Sequence, residues 1–269
     1  MLQIIQAIFL GIVEGLTEFL PISSTGHLYL SERMIGYKDT AEIFTVVIQL
    51  GAILAVIWYY RRDLIVKTTG LFKGNTKQRK FWANWIVATI PAGIAGYLLV
   101  DYMDKFSTNV FIAVALIIGG LLILLIENYH DTKQPSARPQ LDKLTIKQSL
   151  AIGCHQVLAI IPGVSRSGAT IMGGLLSGLD RVTATAFSFY MSIPIIVIAS
   201  GYKLMSGRDQ LSSVSGGGTA LLLGTVAAFF TALLAIGWLL RYVSKNDFKP
   251  FAYYRIILGG VILVSLLLG

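Results

Sequence analysis

Glu14-Gly-Leu-Thr-Glu18-Phe-Leu-Pro-Ile-Ser-Ser24-Thr-Gly-His27 decides how the chain is read. It sets two carboxylates, two serines, threonine and a histidine inside an otherwise apolar N-terminal segment. A second stretch, Pro162-Gly-Val-Ser-Arg166-Ser-Gly-Ala-Thr170, adds an arginine in similar company. Ionisable groups at membrane depth are costly and persist mainly where they serve a site. Both stretches interrupt hydrophobic segments with Pro and Gly. A broken helix at membrane depth survives only where protein buries it or where it lines a wet cavity. The two stretches therefore read as halves of one polar site built to hold an anion.

Outward from these stretches the composition is that of a membrane protein. Of 269 residues, 55% are hydrophobic and 13% charged, with a mean hydropathy of +0.70. A soluble domain carries about 25% charged residues. The expected class is an all-α, polytopic integral membrane protein, one membrane domain over residues 1–269. The net charge of +8 does not point to nucleic acid, because the basic residues sit in short segments between apolar runs. Cys154 is the only cysteine, so no internal disulfide forms. The N-terminus does not read as an ordinary signal peptide: it lacks a basic start, and Glu14 ends its apolar run before any small-residue cleavage site.

Long apolar runs lie at 41–60, 82–100, 108–126, 183–200, 218–240 and 250–268. Each suits a transmembrane helix, which takes about 20 residues. The last is the weakest, because Arg255 shortens its charge-free run. Residues 1–35 and 149–180 are too broken for simple spans, and each predicts a re-entrant helix–loop–helix. Orientation follows the basic residues. The predicted loop after Tyr60 holds Arg61, Arg62, Lys67, Lys73, Lys77, Arg79 and Lys80. Those after Ile126 and Leu240 hold Lys133, Arg138, Lys143 and Lys147, and Arg241, Lys245 and Lys249. The intervening loops hold only Lys105, and Lys203 with Arg208. The rich loops are expected in the cytoplasm, with six spans and both termini outside.

The chain also resembles itself. A shift of 142 residues lays Gln6 on Gln148, Gly11 on Gly153, Leu16 on Leu158, Ser23 on Ser165 and Gly26 on Gly168. It lays Ser24 on Arg166 and Glu14 on Gln156. At a shift one residue larger, Phe44-Thr-Val-Val-Ile-Gln-Leu falls over Phe187-Ser-Phe-Tyr-Met-Ser-Ile, and at a slightly smaller one Ile117-Ile-Gly-Gly falls over Ile257-Leu-Gly-Gly. Two repeats are expected, about 1–127 and about 148–269, each a re-entrant pair plus three spans. Three is odd, so the second repeat is inverted, a transporter-like design.

Glu14 and Glu18 share one helix face. Two such carboxylates repel unless a proton or a cation lies between them. One reading protonates a glutamate; the other makes the pair a hard-metal site for Mg²⁺ or Ca²⁺, completed by substrate phosphate oxygens. No Cys/His cluster suggests zinc. Ser23, Ser24 and Thr25 suit either a helix cap or a substrate site with Gly26. There His27 would act as base toward a serine hydroxyl. Ser165, Ser167, Gly168 and Thr170 surround Arg166, and small residues at a helix start leave N–H groups open to anions. Arg166 adds a planar fork that matches phosphate oxygens, its alternative being a structural bond to carbonyls. His155 reads as a hydrogen-bonded interior residue, and Asp180 with Arg181 as a surface cap.

These residues also carry a family likeness. EGLTEFLPISSTGH and PGVSRSGAT, with FTVVIQLGAILAV from Phe44, closely resemble the undecaprenyl-diphosphate phosphatases of bacteria, the bacitracin-resistance family. The likeness covers nearly the whole chain. It implies removal of the terminal phosphate of undecaprenyl diphosphate, which regenerates the lipid carrier for peptidoglycan and other envelope polymers. It implies inverted repeats in the cell membrane and a site opening outward. By motif position, Glu14 and Glu18 match the family's glutamates, Ser24 its proposed nucleophile, His27 its histidine and Arg166 its phosphate-binding arginine. The arginine–histidine–aspartate signature of phosphatidic-acid-type phosphatases is missing after Arg166.

The residues leave serine attack, phosphohistidine formation and direct water attack open. They also admit a rival class, a flippase or transporter of a polyprenyl phosphate lipid. A cation channel is disfavoured, since Arg166 opposes cation passage. The expected partners are a polyprenyl diphosphate lipid and the bilayer, with a homodimer as one candidate assembly.

Overall fold

The computed structural model describes residues 1–37, 39, 42–103, 108–129, 138–208 and 214–267. Lys105 and Lys133 lie outside the described residues, as do parts of the predicted 127–147 and 203–218 loops. The described residues form eleven α-helices and no strand. Two short hairpins, α1 (Leu2–Thr17) with α2 (Ser24–Ile35) and α7 (Ile146–Val157) with α8 (Arg166–Leu176), hold the polar stretches at their tips. The other helices are α3 (Ile43–Tyr59), α4 (Arg61–Phe72), α5 (Thr76–Met103), α6 (Asn109–Tyr129), α9 (Arg181–Ser206), α10 (Gly217–Val243) and α11 (Lys249–Leu267).

Helices α5, α6, α9, α10 and α11 are long and apolar enough to cross a bilayer; α3, bent by 69° against α4, makes a sixth if that pair counts as one span. The chain is a polytopic all-α membrane protein. Large apolar side chains such as Ile118, Leu121, Leu122, Leu234 and Ile257 face outward, as lipid contact requires. Helix α9 is the central pillar: Val182 to Ser192 are buried all round. Pro194 cannot supply an N–H to Tyr190 O, and Trp85 Nε1 from α5 donates to that carbonyl instead, at 2.8 Å.

Two expectations need correction. The basic segment from Arg61 to Lys80 is not a loop but α4 and the start of α5. Helix α4 carries an acid, Asp63, in its first turn, paired with Lys67 one turn on at 3.0 Å. Tyr190 OH donates to the same carboxylate, and Trp82 Nε1 ties α5 to Lys67 O. Asp180 does cap α9, accepting from Thr183 N at 2.9 Å. Arg181, however, is no surface residue: it forks onto Glu127, whose Oε1 also accepts from Phe248 N. His155 is half-buried, bonded to Ala151 O.

The two hairpins are built alike at the spacing of 142. Ala7, Leu10, Gly11 and Glu14 form the buried stripe of α1; Ser149, Ile152, Gly153 and Gln156 form that of α7. Gln6 Nε2 donates to Ile35 O at 2.7 Å, and Gln148 Nε2 to Ser177 O at 2.9 Å. Ser23 (φ 69°, ψ 98°) and Ser165 (φ 74°, ψ 114°) share one left-handed backbone shape at the hairpin tips. Each hairpin leans on a long helix of the other half, α1 on α10 and α7 on α5. Glycine makes that approach possible. A Cβ on Gly11 would lie 2.1 Å from Gly224 O, and one on Gly153 2.4 Å from Ala88 O. Gly153→Ala should therefore destabilise the protein by about 1–3 kcal/mol through overpacking. Gly93→Ala, with nothing within 4 Å of the new carbon, should be neutral or stabilising by up to about 1 kcal/mol. Thermal melting in detergent checks both.

Candidate active site

The hairpin tips meet inside the helix bundle. Glu18 closes α1, its N–H bonded to Glu14 O at 2.9 Å. The chain then breaks through Pro21 and restarts at Ser24, the first residue of α2. Arg166 holds the equivalent first position of α8. Glu18 joins the two. Ser24 Oγ donates to Glu18 Oε2 at 2.5 Å, and Arg166 Nη2 to Glu18 Oε1 at 3.1 Å. Both partners of this ion pair are nearly buried, at 10% and 6% side-chain exposure. Removing one partner of such a pair costs about 3–5 kcal/mol. Arg166 is steadied further by Ser188 O at 3.1 Å and by the ring of Phe19, 5.7 Å from its carbon Cζ.

The other expected residues divide by role. Ser167 Oγ donates to Leu20 O at 2.7 Å and so stitches one tip to the other. Ser165 Oγ accepts from Gly168 N as a helix cap. Thr170 bonds Arg166 O and the Ser188 hydroxyl, fixing α8 to α9. Ser23, Ser167 and Thr170 are buried, as are Glu14 and Glu18. Thr25 is exposed and lies outside this cluster. Gly26 and Gly168 let the tips seat against Leu116 and Arg255.

His27 is not at the Ser24 hydroxyl. Its Nδ1 lies 2.7 Å from Ser23 O, which only accepts, so Nδ1 carries the proton. Nε2 then accepts from Tyr254 OH at 2.7 Å, with the rings stacked 5.4 Å apart. Glu18, not His27, is the base in hydrogen-bond contact with Ser24. Glu14 differs again. It is 1% exposed, and neither carboxylate oxygen has a hydrogen-bond partner. A buried carboxylate of this kind calls for a proton or a cation. The described residues contain no cluster of three or more His, Cys, Asp or Glu, so any cation here would draw its other ligands from outside the acidic pair.

Arg255 was not recognised in the sequence as part of this site. Its guanidinium, 1% exposed, donates to Pro21 O in the first tip at 3.2 Å. It also donates to Gly163 O and Val164 O in the second, at 3.2 and 2.9 Å. Leu116 O and Ala115 O on α6 complete the set, each at 3.3 Å. Gly119 leaves the room, since a Cβ there would lie 2.1 Å from Arg255 Nη2. The signal was present: a lone arginine in an apolar span marks a partnered position.

A family model described as Bacitracin resistance protein BacA matches residues 7–261. The chain belongs to the BacA family. Its relatives include proteins named undecaprenyl-diphosphatase from Methylobacillus flagellatus, 47% identical over 97% of both chains, and from Clostridium tetani. The latter is 42% identical over 98% of this chain and 97% of its own. One named undecaprenyl-diphosphatase 3, from Acinetobacter baylyi, is 46% identical over 99% of both.

Lysine carries its three donors on one atom and does not span the five carbonyls that Arg255 reaches. Arg255→Lys in this BacA-family chain should lower stability by about 3 kcal/mol, the loss of one to two charge-assisted hydrogen bonds. Melting in detergent measures it, and an unchanged melting temperature refutes the tethering role.

Proposed function

We propose that the chain is a membrane phosphatase that hydrolyses undecaprenyl diphosphate to undecaprenyl phosphate and inorganic phosphate. This would recycle the lipid carrier for peptidoglycan and envelope polymers and confer bacitracin resistance. The names of its relatives supply the substrate. The observation that carries the chemistry is the Glu18 carboxylate, which holds a serine hydroxyl on one oxygen and a guanidinium on the other.

In this reading the terminal phosphate docks against Arg166, whose fork suits phosphate oxygens. Ser24 Oγ attacks the terminal phosphorus in line as Glu18 takes its proton. The bond to the bridging oxygen breaks, and the lipid monophosphate leaves with that oxygen. Its second pKa is about 6 by analogy with phosphoserine, so it needs little acid assistance. Water then hydrolyses the phosphoserine, returning the proton to Ser24 and releasing inorganic phosphate. His27, oriented by Ser23 O and Tyr254, stands one helical turn from Ser24 and borders the site. Glu14 and Glu18 would hold a divalent cation, Mg²⁺ or Ca²⁺; the unpartnered Glu14 oxygens fit a hard ion. When bound, it would neutralise diphosphate charge.

Phosphate release by purified protein in detergent tests the reading, because a flippase has no membrane to cross there. Ser24→Ala and Glu18→Gln should each lose nearly all turnover, and chelator should abolish it. Arg166→Lys should lose at least tenfold, about 1.4 kcal/mol of transition-state stabilisation. Substantial turnover in Ser24→Ala would move the attack to water or His27. Full activity in excess chelator would leave Glu14 a protonated acid.

We further propose two inverted repeats in the bacterial cell membrane, with the site opening to the extracytoplasmic side. The matched hairpins, their crossed packing on α10 and α5, and the basic-residue asymmetry support this. In a Cys154→Ser background, single cysteines in the 61–80 segment should label only from the cytoplasm, and those at 203–218 only from outside. External labelling of the first segment in intact cells overturns the inverted arrangement.

A further inference from the structure

Gln156 is a buried polar residue that the repeat places opposite Glu14 and that the mechanism above leaves idle. It is 1% exposed, and neither its Nε2 nor its Oε1 has a hydrogen-bond partner. Leaving a buried amide unpaired costs about 1–3 kcal/mol, and native structures retain few such groups without a reason. Gln156 lies at the inner end of the α7 stripe, one residue before that helix ends at Val157. Glu14 holds the same place on α1, at the end of an equivalent stripe, and its oxygens are equally unpaired.

The relation between the hairpins says what Gln156 faces. The shift that lays Glu14 on Gln156 lays Ser24 on Arg166. Glu14 stands one turn before Glu18 on α1, and Glu18 pairs with Arg166. Gln156 therefore stands to Ser24 as Glu14 stands to Arg166. The two sides differ in charge. A carboxylate suits a cation, whereas a neutral amide offers an N–H to an anion without repelling it.

We infer that Gln156 is a substrate-binding residue whose side-chain N–H donates to a non-bridging oxygen of the terminal phosphate, beside Ser24. This rests on the phosphatase reading and the repeat relation above. It makes the paired pockets unequal: Glu14 marks the cation side and Gln156 the side from which Ser24 attacks.

The test uses full-length protein in detergent, with farnesyl diphosphate as the probe substrate and inorganic phosphate as the probe inhibitor. Gln156→Met keeps the length and apolar bulk of the side chain but removes the amide. It should lower kcat/KM at least tenfold and weaken phosphate inhibition by a similar factor. The melting temperature should hold or rise, because an unpaired buried group is gone. Gln156→Glu should raise KM more at pH 8 than at pH 6, since an ionised carboxylate repels the diphosphate. Wild-type kcat/KM in Gln156→Met overturns the inference. So does a loss that follows a falling melting temperature with the inhibition constant unchanged. If Gln156→Met does not fold, a pH-independent KM in Gln156→Glu overturns it. A wild-type protein that releases no phosphate overturns the phosphatase reading as well; an active wild type with indifferent Gln156 variants overturns this inference alone.

Discussion

A single guanidinium ties together the parts of the molecule that have no regular structure. Breaking a helix at membrane depth frees carbonyls that water does not reach, and each unsatisfied one costs several kcal/mol. Pro21, Gly163 and Val164 belong to two such breaks, more than a hundred residues apart, and Arg255 satisfies all three. Its anchor on α6, through Leu116 O and Ala115 O, fixes the pair of tips to the α6–α11 contact. The same charge that weakened α11 as a predicted span is what permits the breaks to exist. Gly163 completes the joint: at φ 90° it takes a shape that side chains rarely adopt, and a Cβ there would lie 2.7 Å from Ile112 O.

Around that joint the frame is matched while the chemistry is not. Ser23 and Ser165 adopt the same strained backbone, worth about 1–3 kcal/mol each. That strain is kept at the two places where a helix must restart with its first residue aimed inward. What is aimed inward then differs, a hydroxyl from Ser24 on one side and a guanidinium from Arg166 on the other. Glu18 has no acidic counterpart, since its place in the second hairpin falls to Ile160. One carboxylate thus serves both sides, and the asymmetry of a reaction is built on a frame that is nearly symmetric.

The hydrophobic pattern made the membrane class and the helices legible, because a bilayer selects long apolar helices with little regard to packing detail. The polar motifs stood out as well, because Glu18, Ser24 and Arg166 interrupt apolar runs. What the pattern did not convey was partnership. Nothing local distinguishes Ser24 bonded to Glu18 from Ser24 bonded to His27; that depends on which face of α2 turns inward. His27 turns toward α11 instead, where Tyr254 waits on a helix more than two hundred residues later. Arg181 was misplaced for the same reason. Beside Asp180 it looks like a surface cap, and only the fold brings Glu127 of α6 to it.

The resting contacts also constrain how the site can work. Both Glu18 oxygens are occupied, so the carboxylate is held in one orientation before any substrate arrives. That orientation is the one a base requires, with the Ser24 proton already on its path. A phosphate drawn to Arg166 competes with Glu18 for the guanidinium. As that ion pair loosens, Glu18 is left to the Ser24 hydroxyl while the phosphate comes within reach of the serine. Substrate arrival and activation of the nucleophile are thereby coupled through one carboxylate, with no need for large motion of the helices that frame it.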